Sequence, residues 1–202
     1  MKNTKLKLKL TFLVILGTIL FMYSTPVSAA TYPTYKYDWE WNYNGAAYYY
    51  VVSISSTYAT AAKEAAANWY KTGYHTNPLY PMTKTSVQKN SPMDLYNQNL
   101  GDNVNGQTTF FIQGGTEVSV NQDGPARNWL YCKILINESF FNKKYSTNAT
   151  KKKVLILHEM GHVFGLAHTS STATVMYPYM IQCTATKVTQ SDSAALVQKL
   201  HF

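Results

Sequence analysis

The stretch Lys151–His168, KKKVLILHEMGHVFGLAH, decides how the rest of the chain is read. Apolar Val154, Leu155, Leu157 and Phe164 surround His158 and His162, which predicts a mostly buried helix. Residues four apart on a helix stand on one face, separated by a rise of roughly 6 Å. His158 and His162 can therefore turn two imidazoles toward a single ion. Glu159, one step round the helix, points beside that ion rather than at it. Gly165 can take the left-handed conformation that ends a helix, so the chain doubles back and His168 offers a third nitrogen. Together these residues fill H-E-x-x-H-x-x-G-x-x-H. Three neutral imidazoles with one open position form a catalytic zinc arrangement, whereas structural sites are closed and commonly include cysteines. A buried helix whose histidines merely satisfy hydrogen bonds is the plainer alternative, but it needs neither Gly165 nor His168 at these spacings.

The motif resembles that of the metzincin metalloproteases, which pair it with a downstream methionine turn. Met176 follows His168 by eight residues within Thr174-Val175-Met176-Tyr177-Pro178, a spacing most similar to the matrixins. The resemblance implies an α+β fold of metzincin type. A twisted, mostly parallel sheet would carry an N-terminal helix, the active-site helix, the Met-turn and a C-terminal helix. It further implies zinc on His158, His162 and His168, with Glu159 as general base and then acid. Met176 and Gly165 would support the site, and Pro178 and Tyr179 would wall the substrate pocket. The family's Pro-x-Tyr after the turn reads Pro178-Tyr179-Met180 here, so the aromatic is shifted by one.

Residues 1–29 read as a secretory signal peptide. Lys2, Lys5, Lys7 and Lys9 form a basic start, Leu10–Tyr23 an apolar run, and Val27-Ser28-Ala29 a small-residue cleavage site. The apolar run falls short of the roughly 20 residues that span a bilayer, so the mature form is not expected in a membrane. The whole chain carries 18 basic and 10 acidic residues, net +8. Four lysines leave with the signal and no acid does, so the mature chain has 14 against 10, or +4. That modest, scattered charge argues against nucleic-acid binding. Residues 30–202 are expected to form a single catalytic domain that is secreted and monomeric.

Ala46–Ile54 reads as a strand, followed by Ser55, Ser56 or Thr57 as caps for a helix over Tyr58–Lys71. Ala61, Ala62, Ala65, Ala66 and Trp69 make its inward face, with Gly73 as the stop. Asp94–Asn97 reads as a short strand, Thr108–Gln113 and Glu117–Asn121 alternate enough to be strands, and Leu130–Asn137 is a further strand. In the matrixin-like layout an edge strand holds substrate as an added strand, and Thr108–Gly114 is expected in that role. Thr189-x-x-Asp192 fits a capping-box variant opening a last helix.

An even pair of cysteines in a secreted chain suggests a disulfide, Cys132–Cys183, two buried thiols being the alternative. No cysteine precedes Cys132, so the family's cysteine-based latency is not expected. His75 is the lone histidine between Gly73 and His158, which argues against the family's second zinc. His75 and His201 read as surface or packing residues. Calcium stays open, since Asp94, Asp102, Glu117 and Asp123 are few and dispersed. Asn137-Glu138-Ser139 and Asn148-Ala149-Thr150 are glycosylation sequons. The function expected is zinc-dependent hydrolysis of protein or peptide substrates. The alternative is a secreted zinc-binding interaction module without proteolytic activity.

Overall fold

The computed structural model describes residues 48–74, 81–121, 124–146 and 148–200. The predicted signal peptide, His75, Asp123 and His201 lie outside them. Among the described residues, eight strands and four α-helices follow in order. They are β1 (Tyr48–Val51), α1 (Ser56–Tyr70), β2 (Thr83–Lys84), β3 (Met93–Asn97), β4 (Gly106–Phe111), β5 (Glu117–Val118), β6 (Val120–Asn121) and β7 (Gly124–Pro125). After these come β8 (Tyr131–Ile136), α2 (Glu138–Tyr145), α3 (Ala149–Val163) and α4 (Gln190–Lys199). The main sheet runs β2-β1-β3-β8-β4-β5, and β6 and β7 form a separate ribbon. The pairs β1–β2, β1–β3 and β3–β8 are parallel, while β4 is antiparallel to both its neighbours. This is the mixed, mostly parallel layout expected.

One face of the sheet supplies Tyr49, Met93, Leu95, Phe110, Cys132, Ile134 and Ile136 to the core. Helix α1 buries Tyr58, Ala61, Ala62, Ala65, Ala66 and Trp69. Its alanines let it lie close to its neighbours, and Trp69 reaches α3. The Trp69 indole donates to the Leu157 carbonyl at 3.0 Å and meets the Phe164 ring edge-on, centroids 5.5 Å apart. A second indole, Trp129, donates to the Val163 carbonyl at 3.2 Å, one of the carbonyls a helix end leaves unpaired. Every residue of α3 from Val154 to Val163 is buried. That explains a helix apolar on all sides apart from its two histidines and Glu159.

Several expectations are adjusted. The Glu117–Asn121 stretch is two strands rather than one, since β5 extends the main sheet while β6 pairs with β7. Strand β2 and helix α2 were not anticipated. Asn137 caps α2, and its Nδ2 donates to the carbonyls of Gly101 and Val104 at 2.9 and 3.1 Å. Only 2% of Asn137 is exposed, so its sequon is sealed in the folded chain, whereas Asn148, the cap of α3, is exposed. The expected disulfide is overturned, because both cysteines are free thiols. Cys132 lies within central strand β8, facing the core. Cys183 donates instead to the Thr174 carbonyl at 3.4 Å beneath the Met-turn. Burial pushes both thiols up, which keeps them protonated and inert.

Candidate metal centre and active site

The end of α3 builds the site. Phe164 caps the helix and Gly165 follows at φ +90°, a conformation costly for any residue with a side chain. The Gly165 N–H reaches the His162 carbonyl at 3.0 Å and the Leu166 N–H reaches the Gly161 carbonyl at 2.9 Å. This is the paired closure of a Schellman motif. The reversed chain returns His168 to the helix it has just left. The Nε2 atoms of His158 and His162 are 3.1 Å apart, and that of His168 lies 3.1 and 3.2 Å from them.

The other ring nitrogens settle the protonation pattern. His158 Nδ1 faces the Val175 carbonyl at 2.8 Å and His162 Nδ1 faces the Leu166 carbonyl at 2.8 Å. A carbonyl oxygen only accepts, so each Nδ1 carries the proton and each Nε2 presents a bare lone pair. Two lone pairs 3.1 Å apart repel unless a cation lies between them. Burial also disfavours charge on the rings, lowering His158 to about 4, His162 well below its usual value, and His168 less far. Three points at these separations can share a centre about 2.1 Å from each, the usual zinc–imidazole length. Among the described residues these three histidines form the one group of metal-ligating side chains. The residues present fit zinc. Asp94, Asp102 and Glu117 do not gather with one another. Asp94 is buried and accepts from the Tyr131 hydroxyl at 2.9 Å.

Glu159 lies beside the triad, 4% exposed. The Thr108 hydroxyl spans its main-chain oxygen and its Oε2, at 3.0 and 2.8 Å. Burial pushes the carboxyl up to about 7, tempered by that hydrogen bond. Its other oxygen lies against Gly106, where an added Cβ would stand 2.8 Å from Oε1. Thr108 and Gly106 thus seat the carboxylate from strand β4, and neither role was legible beforehand.

Met176 is fully buried, with its thioether directly under Gly161, between the two ligating turns of α3. Its carbonyl accepts from the Thr169 N–H at 3.1 Å, beside His168. One residue earlier, the Val175 N–H is held by Asp192 Oδ2 at 3.1 Å. The same carboxylate oxygen accepts from the Thr189 N–H and hydroxyl at 2.9 and 2.7 Å, completing the capping box of α4. A chain of bonds therefore runs from the start of α4 through Val175 to the ring of His158.

These groups open into a cleft of ≈ 320 Å³ walled by Asn103–Thr108, Leu155, Tyr177, Pro178 and Met180. Pro178 lines it. Tyr179 does not: it is 64% exposed and packs against the Tyr177 ring, centroids 5.8 Å apart.

Three imidazoles on a helix–turn unit, a neighbouring carboxylate and a buried methionine turn define a metzincin zinc site. The chain belongs to the matrixin family of zinc metallopeptidases, whose family model matches residues 47–202. Among curated proteins no significant match is found.

Proposed function

We propose that this chain is a secreted zinc endopeptidase that cuts extracellular proteins, with Glu159 as the proton-transfer group. The observation that carries the reading is the pair of bare, neutral Nε2 atoms 3.1 Å apart, closed by His168, at the floor of an open cleft. Held by His158, His162 and His168, zinc supplies Lewis acidity toward a peptide carbonyl and makes water a better nucleophile. Glu159 does the rest of the chemistry. Its carboxylate takes a proton from the attacking water and hands it to the departing amine, which lets one residue serve both steps. Thr108 holds Oε2 and Gly106 leaves room at Oε1, so the carboxylate cannot swing away. Among the described residues, no strand pairs with 106–109 of β4 on the side away from β8, since β5 pairs only with Phe110 and Phe111. An extended substrate adds to that open edge through main-chain hydrogen bonds. Relative to the expected Thr108–Gly114, the usable edge lies nearer the start of the strand. Secretion is supported by the basic, apolar and small-residue leader of residues 1–29.

The test is hydrolysis of a quenched protein substrate by the zinc-loaded chain, with and without phenanthroline, beside Glu159→Ala. Cleavage abolished by chelation, and reduced about 10²–10⁴-fold in the variant at unchanged zinc content, is the expected result. Zinc bound without any turnover by the wild-type chain would instead make it a binding module.

A further inference from the structure

Helix α3 presents a continuous stripe to the cleft. Leu155, His158, Glu159 and His162 line it, and Lys151 stands one turn before Leu155 on the same face. Lys151 is half-buried, and its ammonium turns to the loop after the Met-turn. It donates to the carbonyl of Met180 at 2.9 Å and to that of Cys183 at 3.1 Å.

Both carbonyls belong to the loop that follows the Met-turn, which carries the cleft residues Tyr177, Pro178 and Met180. The loop's other polar ties are local or lead elsewhere. Gln182 and Cys183 N–H groups return to the Tyr179 carbonyl, and Thr184 is bonded to Thr172. Among the described residues, Lys151 alone supplies side-chain hydrogen bonds joining residues 177–183 to α3. At that point Met180 turns its side chain inward, 5% exposed, while its neighbours Tyr179 and Ile181 are 64% and 66% exposed. An ammonium bonded to two carbonyls is a charge-assisted clamp, stronger than a neutral pair and fixed in length.

We propose that Lys151 is a positioning residue for substrate selection: by pinning the carbonyls of Met180 and Cys183 it sets the distance between Met180 and Leu155, and so the size of side chain the cleft admits. This rests on the peptidase reading above. Lys151 touches neither the zinc ligands nor Glu159, so loosening the clamp changes which residue fits rather than whether a bond is cut.

The experiment uses the zinc-loaded full chain and a pair of peptides differing only in the residue entering the cleft, one large and apolar, the other alanine. The readout is the ratio of their kcat/KM values, which is independent of the fraction of folded enzyme. Lys151→Met, which keeps the stem and removes the donors, is expected to shift that ratio at least about fivefold, mainly through KM, with zinc content unchanged. Lys151→Arg, which keeps a charged donor, restores it. If Lys151→Met does not fold, Lys151→Gln, too short to reach both carbonyls, takes its place. A ratio within twofold of wild type in the folded, zinc-loaded variant overturns the proposal. A wild-type chain that cuts neither peptide nor protein refutes the peptidase reading instead, so the two failures are distinct.

Discussion

Replacing Asp192 by alanine tests whether the last helix helps to hold the metal. The Asp192 carboxylate joins three donors, the N–H and hydroxyl of Thr189 and the N–H of Val175, and is fully buried. Losing the helix cap alone costs about 1 kcal/mol. Leaving the Val175 N–H buried without its acceptor adds about 1–3 kcal/mol. The expected total of about 2–4 kcal/mol corresponds to a fall in Tm of roughly 4–16 °C for a chain of this size. The second effect is on zinc. Val175 is the residue whose carbonyl orients His158, and loss of such an outer partner typically weakens metal binding about 10–100-fold. Asp192 acts one bond further out, so the lower end, about tenfold, is expected. Chelator competition measures the affinity and differential scanning the stability. Thr189→Ala is the control. It removes one capping hydroxyl and leaves the bond to Val175, so it should lower Tm by only about 2–4 °C without weakening zinc. Asp192→Ala with zinc affinity within twofold of wild type would show that the carboxylate caps a helix and nothing more.

Other substitutions probe the packing around the site. Gly106→Ala puts a methyl group 2.8 Å from Glu159 Oε1 and 3.1 Å from Leu155 Cδ1. It is expected to lower kcat about 10²-fold by displacing the carboxylate, with zinc content by metal analysis unchanged; full activity would refute the seat. Gly161→Ala gains about 1 kcal/mol in helix propensity but collides with the Met176 thioether and crowds the Trp69 ring. Overpacking costs about 1–3 kcal/mol, so denaturant unfolding should show net destabilisation, and a double-mutant cycle should show that the glycine change costs less in a Met176→Ala background. His168→Ala removes the third nitrogen and should leave less metal bound after dialysis than Glu159→Ala does.

The ligand set was legible in the sequence because its chemistry is local. Helical periodicity alone stacks His158 over His162, and a glycine at position 165 supplies the reversal that a third ligand six residues on requires. The alanine face of α1 and the capping box at Thr189 and Asp192 are likewise short-range patterns that carry their own signal. What surrounds the ligands was not legible, because each of those relations joins residues far apart in the chain. Gly106 and Thr108 meet Glu159 across some fifty positions, and Lys151 meets Met180 across 29. The cysteines mark the same limit: an even count suggested a bond, and only packing shows Cys132 facing the core from central strand β8 while Cys183 bonds elsewhere. Local spacing determines which atoms can bind a metal. Which groups aim those atoms, seat the base and size the cleft is decided by how sheet, helix and loop are brought together.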